Sequence, residues 1–186
     1  MGKTELWKII GGVLLKQNKG FTAIELLIVM LAGVILIASG GKLASTLFDN
    51  AKVSSLEQNI QALRTTVRYL NEQTMNYAAV VATNQLIGGG APEGLINPQR
   101  NKLLGPWNGE ITVTGNSDTF TILAKGIPQN ACLKLLTSAR GSWVSVRGAS
   151  GNAAGGTSIT RTYTQPITTV NFCKSETMNT VEWVSR

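Results

Sequence analysis

The chain contains no histidine, few acidic side chains and little charge overall. Charged residues make up 15% of its 186 residues, against about a quarter in an ordinary globular domain. Its only aspartates are Asp49 and Asp118. Without histidine the chain cannot form a histidine-based catalytic triad or the common histidine-containing metal sites, and its carboxylates form no pair along the sequence. The sequence therefore predicts a protein that is not an enzyme and has no cofactor, catalytic residue or metal ligand.

The positive charge of the chain is dispersed. The formal net charge is +7, and four lysines stand in the first 20 residues. A nucleic-acid-binding face usually shows a basic stripe with interleaved aromatic side chains, and no such stripe occurs here. We therefore expect a solvated surface and no nucleic-acid partner.

One long apolar run explains the shortage of charge. It extends from Phe21 to Gly41 and contains a single charged residue, Glu25. About 20 apolar residues suffice for a helix to cross the hydrocarbon core of a bilayer. The lysines before the run predict a cytoplasmic N-terminus and export of the chain that follows. By hydropathy alone, a plain signal anchor is the favoured interpretation, and Glu25 is the residue that argues against it.

The helical pattern continues beyond this run. Apolar residues recur at spacings of four and three from Leu56 to Leu70, with charged residues between them, as in an amphipathic helix. No proline occurs before Pro92. One helix is therefore predicted from about Phe21 to about Tyr77, with a membrane-spanning half and an amphipathic half that packs on a soluble domain.

The rest of the chain predicts a sheet and one short helix. Glycines and a proline at 88–92 end the helical region, and a loop-rich stretch follows as far as Gly109. The remaining predicted elements are a hairpin of strands 110–114 and 119–123, a helix at 131–139, strands at 143–146, 157–164 and 180–185, and a flexible loop at 148–156. The predicted fold class is α+β, a long N-terminal helix packed on a C-terminal antiparallel β-sheet head.

The most specific motif lies where the basic segment meets the apolar run. It reads Lys19-Gly20-Phe21-Thr22-Ala23-Ile24-Glu25-Leu26-Leu27. This motif resembles the processing site of type IV prepilins. In that site a basic leader ends in glycine, and a phenylalanine and a nearby glutamate follow within an apolar helix. The resemblance implies that a prepilin peptidase cuts between Gly20 and Phe21 and then methylates the new amine of Phe21.

Glu25 also needs a physical explanation. Insertion scales give a cost of about 2.5–3.5 kcal/mol for a charged side chain at the centre of a span, so such residues usually have a partner and a function. After cleavage, the amine of Phe21 is a cation at nearly the same depth, and Glu25 of a neighbouring subunit can pair with it on assembly. The alternative is a glutamate at the membrane edge.

The resemblance implies three segments and a set of partners. The segments are a leader peptide at 1–20, the transmembrane and assembly half of the long helix at 21–42, and an exported globular head at 43–186 that includes the amphipathic half. The partners are further copies of the chain in a homopolymer, the prepilin peptidase, the inner membrane before assembly, and an assembly machinery with an inner-membrane platform and a secretin. The precursor is expected in the inner membrane as a single-pass protein, and the assembled subunit in a cell-surface pilus.

Two cysteines, Cys132 and Cys173, are far apart in the sequence and form no CxxC motif, so their role depends on the compartment. An exported head is in an oxidising compartment, and the pilins of this family commonly tie the C-terminal part of the head with such a pair. The resemblance therefore implies a disulfide, worth about 4 kcal/mol in the chain-entropy model. Two free buried thiols are the alternative.

The chain combines features of two branches of the type IV pilin family. The Phe21 start resembles the IVa branch. The 20-residue leader, the turn at 106–109 and the helix start at 128–132 resemble the IVb branch, which includes conjugative thin pili.

The favoured function is a structural subunit, as the major pilin, of a type IV pilus for adhesion, aggregation, motility or conjugation. A pseudopilin of a type II secretion system is the main alternative. Major pseudopilins carry acidic calcium-binding C-terminal loops, whereas residues 148–186 contain only Glu176 and Glu182 as acidic residues. A membrane-anchored receptor or enzyme is the alternative from another class.

Overall fold

The computed structural model describes residues 23–99, 101–151, 155–169 and 171–186. The chain divides into two compact units, of which the first ends at Ser45 and the second extends from Thr46 to Arg186. The described residues of the first unit all belong to helix α1 (Ala23–Thr74), which continues into the second unit. The side chains of Glu25, Val29 and residues 31–46 are outside the described set.

Helix α1 ends where the backbone turns into the left-handed region at Met75, whose φ is 54°. The Met75 N–H donates to the carbonyl of Asn71 at 2.7 Å, which closes the last turn. The predicted end near Tyr77 is therefore slightly too late, because no glycine marks this turn in the sequence. Three short elements that the sequence did not predict follow: a 3₁₀ turn at Tyr77–Ala79, helix α2 (Thr83–Gly88) and a 3₁₀ turn at Glu93–Leu95.

The second unit contains one sheet of six strands, paired antiparallel in the order β1-β2-β3-β6-β4-β5. The strands are β1 (Leu103–Leu104), β2 (Glu110–Gly115), β3 (Phe120–Ile127), β4 (Ser145–Ser150), β5 (Ser158–Ile159) and β6 (Asn179–Ser185). Helix α3 (Gln129–Ser138) connects β3 to β4. The predicted hairpin, the predicted helix after Pro128 and the predicted last strand are confirmed.

Two strand predictions were wrong in extent. Strand β4 begins later than predicted and runs to Ser150, through residues predicted to form a flexible loop, because β6 supplies partners along its whole length. The predicted strand at 157–164 is reduced to the two residues of β5. There the Tyr163 N–H donates to the Thr160 carbonyl at 3.1 Å and turns the chain, and Pro166 follows.

The core of the second unit lies between α1 and one face of the sheet. Helix α1 contributes a buried stripe spaced three and four residues apart, which is the face that the sequence pattern predicted. Its members are Val53, Leu56, Ile60, Leu63 and Val67. The sheet contributes buried alternate residues such as Ile122 of β3 and Val181 of β6. The predicted α+β fold, a long helix packed on an antiparallel sheet, is confirmed.

Candidate functional site

The predicted processing residues, Gly20 and Phe21, lie outside the described residues, so cleavage and methylation there stay predictions. Glu25 lies in the described backbone of helix α1, close to its first residue. The Glu25 side chain is outside the described set, and its proposed pairing on assembly also stays a prediction.

The first unit exposes large apolar side chains. Five of them are between 54% and 71% exposed: Ile24, Leu26, Leu27, Ile28 and Met30. At about 100° per residue these positions do not lie on one face of a helix. Exposed apolar surface of this size usually marks a contact with other proteins or with lipid. Among the residues that the structure describes, no helix combines the length and apolar character that a membrane span requires.

The second unit contains a disulfide between Cys132 of helix α3 and Cys173, the pairing that the resemblance implied. The two Cα atoms are 6.0 Å apart, and 41 positions separate the cysteines in the sequence. Both residues are buried, as is the neighbouring Phe172. The bond attaches the irregular chain between β5 and β6 to the first turn of α3.

Hydrogen bonds hold the same irregular segment from two directions. The Gln129 side chain donates to the Cys173 carbonyl, and the Gln129 N–H donates to the Glu176 carbonyl, each at 3.1 Å. The fully buried amide of Asn179 donates to the carbonyls of Ile127 and Ser175 at 3.1 and 2.6 Å. Sequence reasoning missed Asn179, although an asparagine directly before the predicted strand at 180–185 is the signal that could have drawn attention to it.

Arg64 of helix α1 contacts the last strand of the sheet. Its Nε donates to Ser185 Oγ, and its Nη1 donates to the Ser142 carbonyl, each at 2.9 Å. Partial burial lowers the pKa of Arg64, and the nearby charge of Arg68 lowers it further. The sequence prediction treated Arg64 as one of the dispersed surface charges. Its position directly after Leu63 of the buried stripe is the signal that was available.

This arrangement defines a class of protein. A long helix whose second half packs on an antiparallel sheet, with a disulfide that ties the C-terminal part of the head, is the arrangement that the resemblance to type IV pilins implied. The family model described as PilS N terminal matches residues 50–186. The chain therefore belongs to this pilin-related family, and the resemblance to type IV pilins is confirmed.

No curated protein matches the chain. Among solved structures, the chain is similar to TcpA, a type IV pilin from the El Tor biotype of Vibrio cholerae, at 16% identity and a TM-score of 0.49. That similarity covers 73% of this chain and 99% of the TcpA chain. Membership of the pilin-related family makes the chain a pilus subunit, which is a structural protein of a class that is not enzymatic.

Proposed function

We propose that the chain is the precursor of a major type IV pilin. A prepilin peptidase cuts it after Gly20 and methylates Phe21, and the mature subunit polymerises into a surface filament. Before assembly, residues 21–42 hold the subunit in the inner membrane, with residues 1–20 in the cytoplasm and the head at 43–186 exported. During assembly, Glu25 pairs with the Phe21 amine of a neighbouring subunit.

The observation that carries this proposal is the exposed apolar surface of helix α1 in the first unit. Five large apolar side chains there are more than half exposed and do not share one face. A helix that is apolar on several sides is stable when it is buried, either in lipid or among other helices. In this proposal the helix is buried first in the membrane and then in the interior of the filament.

The acidic residues near the C-terminus support a pilus subunit over a pseudopilin. Calcium sites use six to eight oxygen ligands, several of them from carboxylates. The Glu182 carboxylate is buried and accepts a hydrogen bond from Arg147 at 3.1 Å, so it is already paired within the sheet. In the part of the chain that the structure describes, no three acidic or sulfur side chains come together as metal ligands.

Mass spectrometry of sheared filaments tests the proposal. The chain is expressed in a bacterium that has a type IV assembly machinery and no other source of the subunit. We expect filaments whose subunit begins with methylated Phe21. The variant Gly20→Leu, which adds a branched side chain at the bond to be cut, should accumulate as uncut precursor in the membrane fraction and give no filaments. Filaments that retain residues 1–20 would contradict the assignment.

A further inference from the structure

Two adjacent large apolar side chains are exposed near the start of the second unit. Leu47 is 68% exposed and Phe48 is 70% exposed, although large apolar residues are usually buried. Between residues 49 and 68 of helix α1, by contrast, the large apolar side chains are all buried in the stripe that begins at Val53. Leu47 and Phe48 therefore lie outside the core that the rest of the helix builds, and a partner outside the head has to cover them.

The pair closely follows the segment at 21–42 that is proposed to span the membrane. Phe48 is six residues after Lys42, and six residues of an α-helix advance about 9 Å. Helix side chains lean toward the N-terminal end of the helix, so the ring of Phe48 leans back toward the span. The headgroup layer extends roughly 5–7 Å beyond the hydrocarbon core on each side of a bilayer. The side chains of Leu47 and Phe48 therefore reach the headgroup layer.

The packed core of the head begins farther from the span. Val53 is the first residue of the buried stripe and follows Lys42 by eleven residues, about 16 Å along the helix. This distance exceeds the thickness of the headgroup layer. The two exposed side chains are thus at the level of the lipid, whereas the first buried residue of the head is beyond it.

The charges around the pair are balanced. Lys52 follows Phe48 by four residues and lies on the same side of the helix. Lys134 lines a small pocket together with Asp49 and Glu176. Two cations and two carboxylates leave no net charge with which to attract anionic lipid. Burial of apolar surface is therefore the interaction that this part of the head offers to a membrane.

We propose that Leu47 and Phe48 form an interfacial anchor. In the unassembled subunit they insert into the headgroup layer on the outer side of the inner membrane and hold the head against the lipid surface. The contact is apolar and does not depend on anionic lipid. This inference rests on the proposed membrane span, and it adds the depth at which the head sits before the subunit enters a filament.

Spin-label accessibility in vesicles tests this depth. The full chain with Phe48→Cys is labelled with a nitroxide and reconstituted in phosphatidylcholine vesicles at low protein density. Two relaxation agents are compared, O₂, which concentrates in lipid, and a nickel chelate, which stays in water. The matched control is Ser55→Cys, because Ser55 is exposed and lies on the same side of the helix, about 10 Å farther from the span. We expect the ratio of O₂ to nickel accessibility to be at least about threefold higher at position 48 than at position 55.

The other possible results have distinct meanings. Equal ratios at the two positions place the pair in water and overturn the inference. Low accessibility of position 48 to both agents also overturns it, because the pair is then buried against another protein copy. If the chain does not float with the vesicles, the proposed span itself fails, and this inference fails with it.

A second variant keeps the two side chains and measures their effect from a neighbouring position. Ala51 is exposed and follows Phe48 by three residues, so Ala51→Cys carries the label. Adding Leu47→Ser/Phe48→Ser should raise the nickel accessibility of this label about twofold. The melting temperature of the head should not change, because neither side chain belongs to the core. High salt should also leave the accessibility unchanged when the pair is intact, since an apolar contact is not screened. An unchanged accessibility in the serine variant, or an accessibility that rises with salt when the pair is intact, refutes the apolar anchor.

Discussion

The guanidinium group of Arg64 lies over the indole ring of Trp143, with its central carbon 4.5 Å from the ring centre. Because the same group also donates hydrogen bonds to Ser185 and Ser142, one helix side chain joins the last strand to the chain that precedes β4. Arg64 therefore adds polar and stacking contacts between α1 and the head beside the buried apolar stripe of the helix.

Replacing Arg64 tests how much this contact stabilises the head. Arg64→Lys keeps the charge but loses the planar fork and the stacking on Trp143. We expect the free energy of unfolding to fall by about 1–3 kcal/mol, as measured by urea unfolding followed through tryptophan fluorescence. The control is Arg161→Lys, because exposed Arg161 makes one hydrogen bond at 3.2 Å and should change stability by less than about 0.5 kcal/mol. Equal effects of the two substitutions would show that the fork and the stacking of Arg64 together add no more stability than the single hydrogen bond of Arg161.

The disulfide between Cys132 and Cys173 should stabilise the head. The variant Cys132→Ser/Cys173→Ser frees a long loop in the unfolded chain, and we expect a loss of about 2–5 kcal/mol in the free energy of unfolding. The irregular segment between β5 and β6 should also become more sensitive to protease, because only non-covalent contacts, such as the hydrogen bonds of Gln129 and Asn179, then hold it. Non-reducing peptide mapping of the unaltered protein checks the bond itself. Two alkylatable thiols in the native protein would contradict both the bond and the oxidising compartment.

Local pattern was enough to predict the elements that form most of this fold. The stripe from Leu56 to Leu70, the hairpin around residues 116–119 and the last strand all appear as regular spacing of apolar residues. The end of α1 was misplaced because it depends on a left-handed turn at Met75, a residue type that rarely adopts one. The length of β4 was missed because residues 148–150 open a glycine-rich stretch and form a strand only where the neighbouring β6 pairs with them, which is a tertiary effect.

The features of the candidate site also fall into two groups, those visible in contiguous sequence and those that only the fold brings together. The motif around Gly20 and Glu25 is contiguous, so its resemblance to prepilins can be seen in the sequence alone. The hydrogen-bond partners of Arg64 cannot be seen in the sequence, because Ser185 lies 121 positions later in the chain and only the fold brings it near.

The pair formed by Arg147 and Glu182 gives a further test. Arg147 of β4 lies directly opposite Glu182 of β6, whose side chain is only 8% exposed. Arg147→Ala leaves a buried carboxylate without its cation, and we expect a loss of about 3 kcal/mol in the free energy of unfolding. The double variant Arg147→Val/Glu182→Val should recover most of that loss, because two β-branched residues pack well across neighbouring strands.

A matched control for this pair exists on the same sheet. Lys125 and Glu110 form an ion pair at 3.6 Å in which the carboxylate side chain is 43% exposed, against 8% for Glu182. Lys125→Ala should therefore cost only about 0–1 kcal/mol. Chemical denaturation of the unaltered protein, Arg147→Ala, Arg147→Val/Glu182→Val and Lys125→Ala gives the four free energies of unfolding to be compared. If Arg147→Ala and Lys125→Ala lower the free energy of unfolding by the same amount, the buried Glu182 carboxylate does not need Arg147 for its stability.

The last prediction concerns Glu25 and separates membrane insertion from assembly. Glu25→Ala removes a charge from the proposed span, so the amount of subunit in the membrane fraction should be unchanged or higher. Filament growth should be abolished or sharply reduced, because the carboxylate is proposed to recruit the Phe21 amine of the next subunit. Glu25→Gln, which keeps the shape of the side chain and removes its charge, should behave in the same way. Ile24→Ala, which trims an adjacent side chain and keeps the carboxylate, should retain filaments.

The two effects of Glu25→Ala point in opposite directions, and this makes the measurement decisive. If the segment were a plain membrane anchor, better insertion would leave function unchanged. If it is the assembly half of a pilin, subunits accumulate in the membrane while few filaments form. Filament yield after shearing, counted by electron microscopy, is compared with membrane-fraction abundance in a strain that has no other source of the subunit. Normal filament numbers from Glu25→Ala would remove Glu25 from assembly and favour a minor subunit or a simple anchor, because neither depends on pairing with the Phe21 amine.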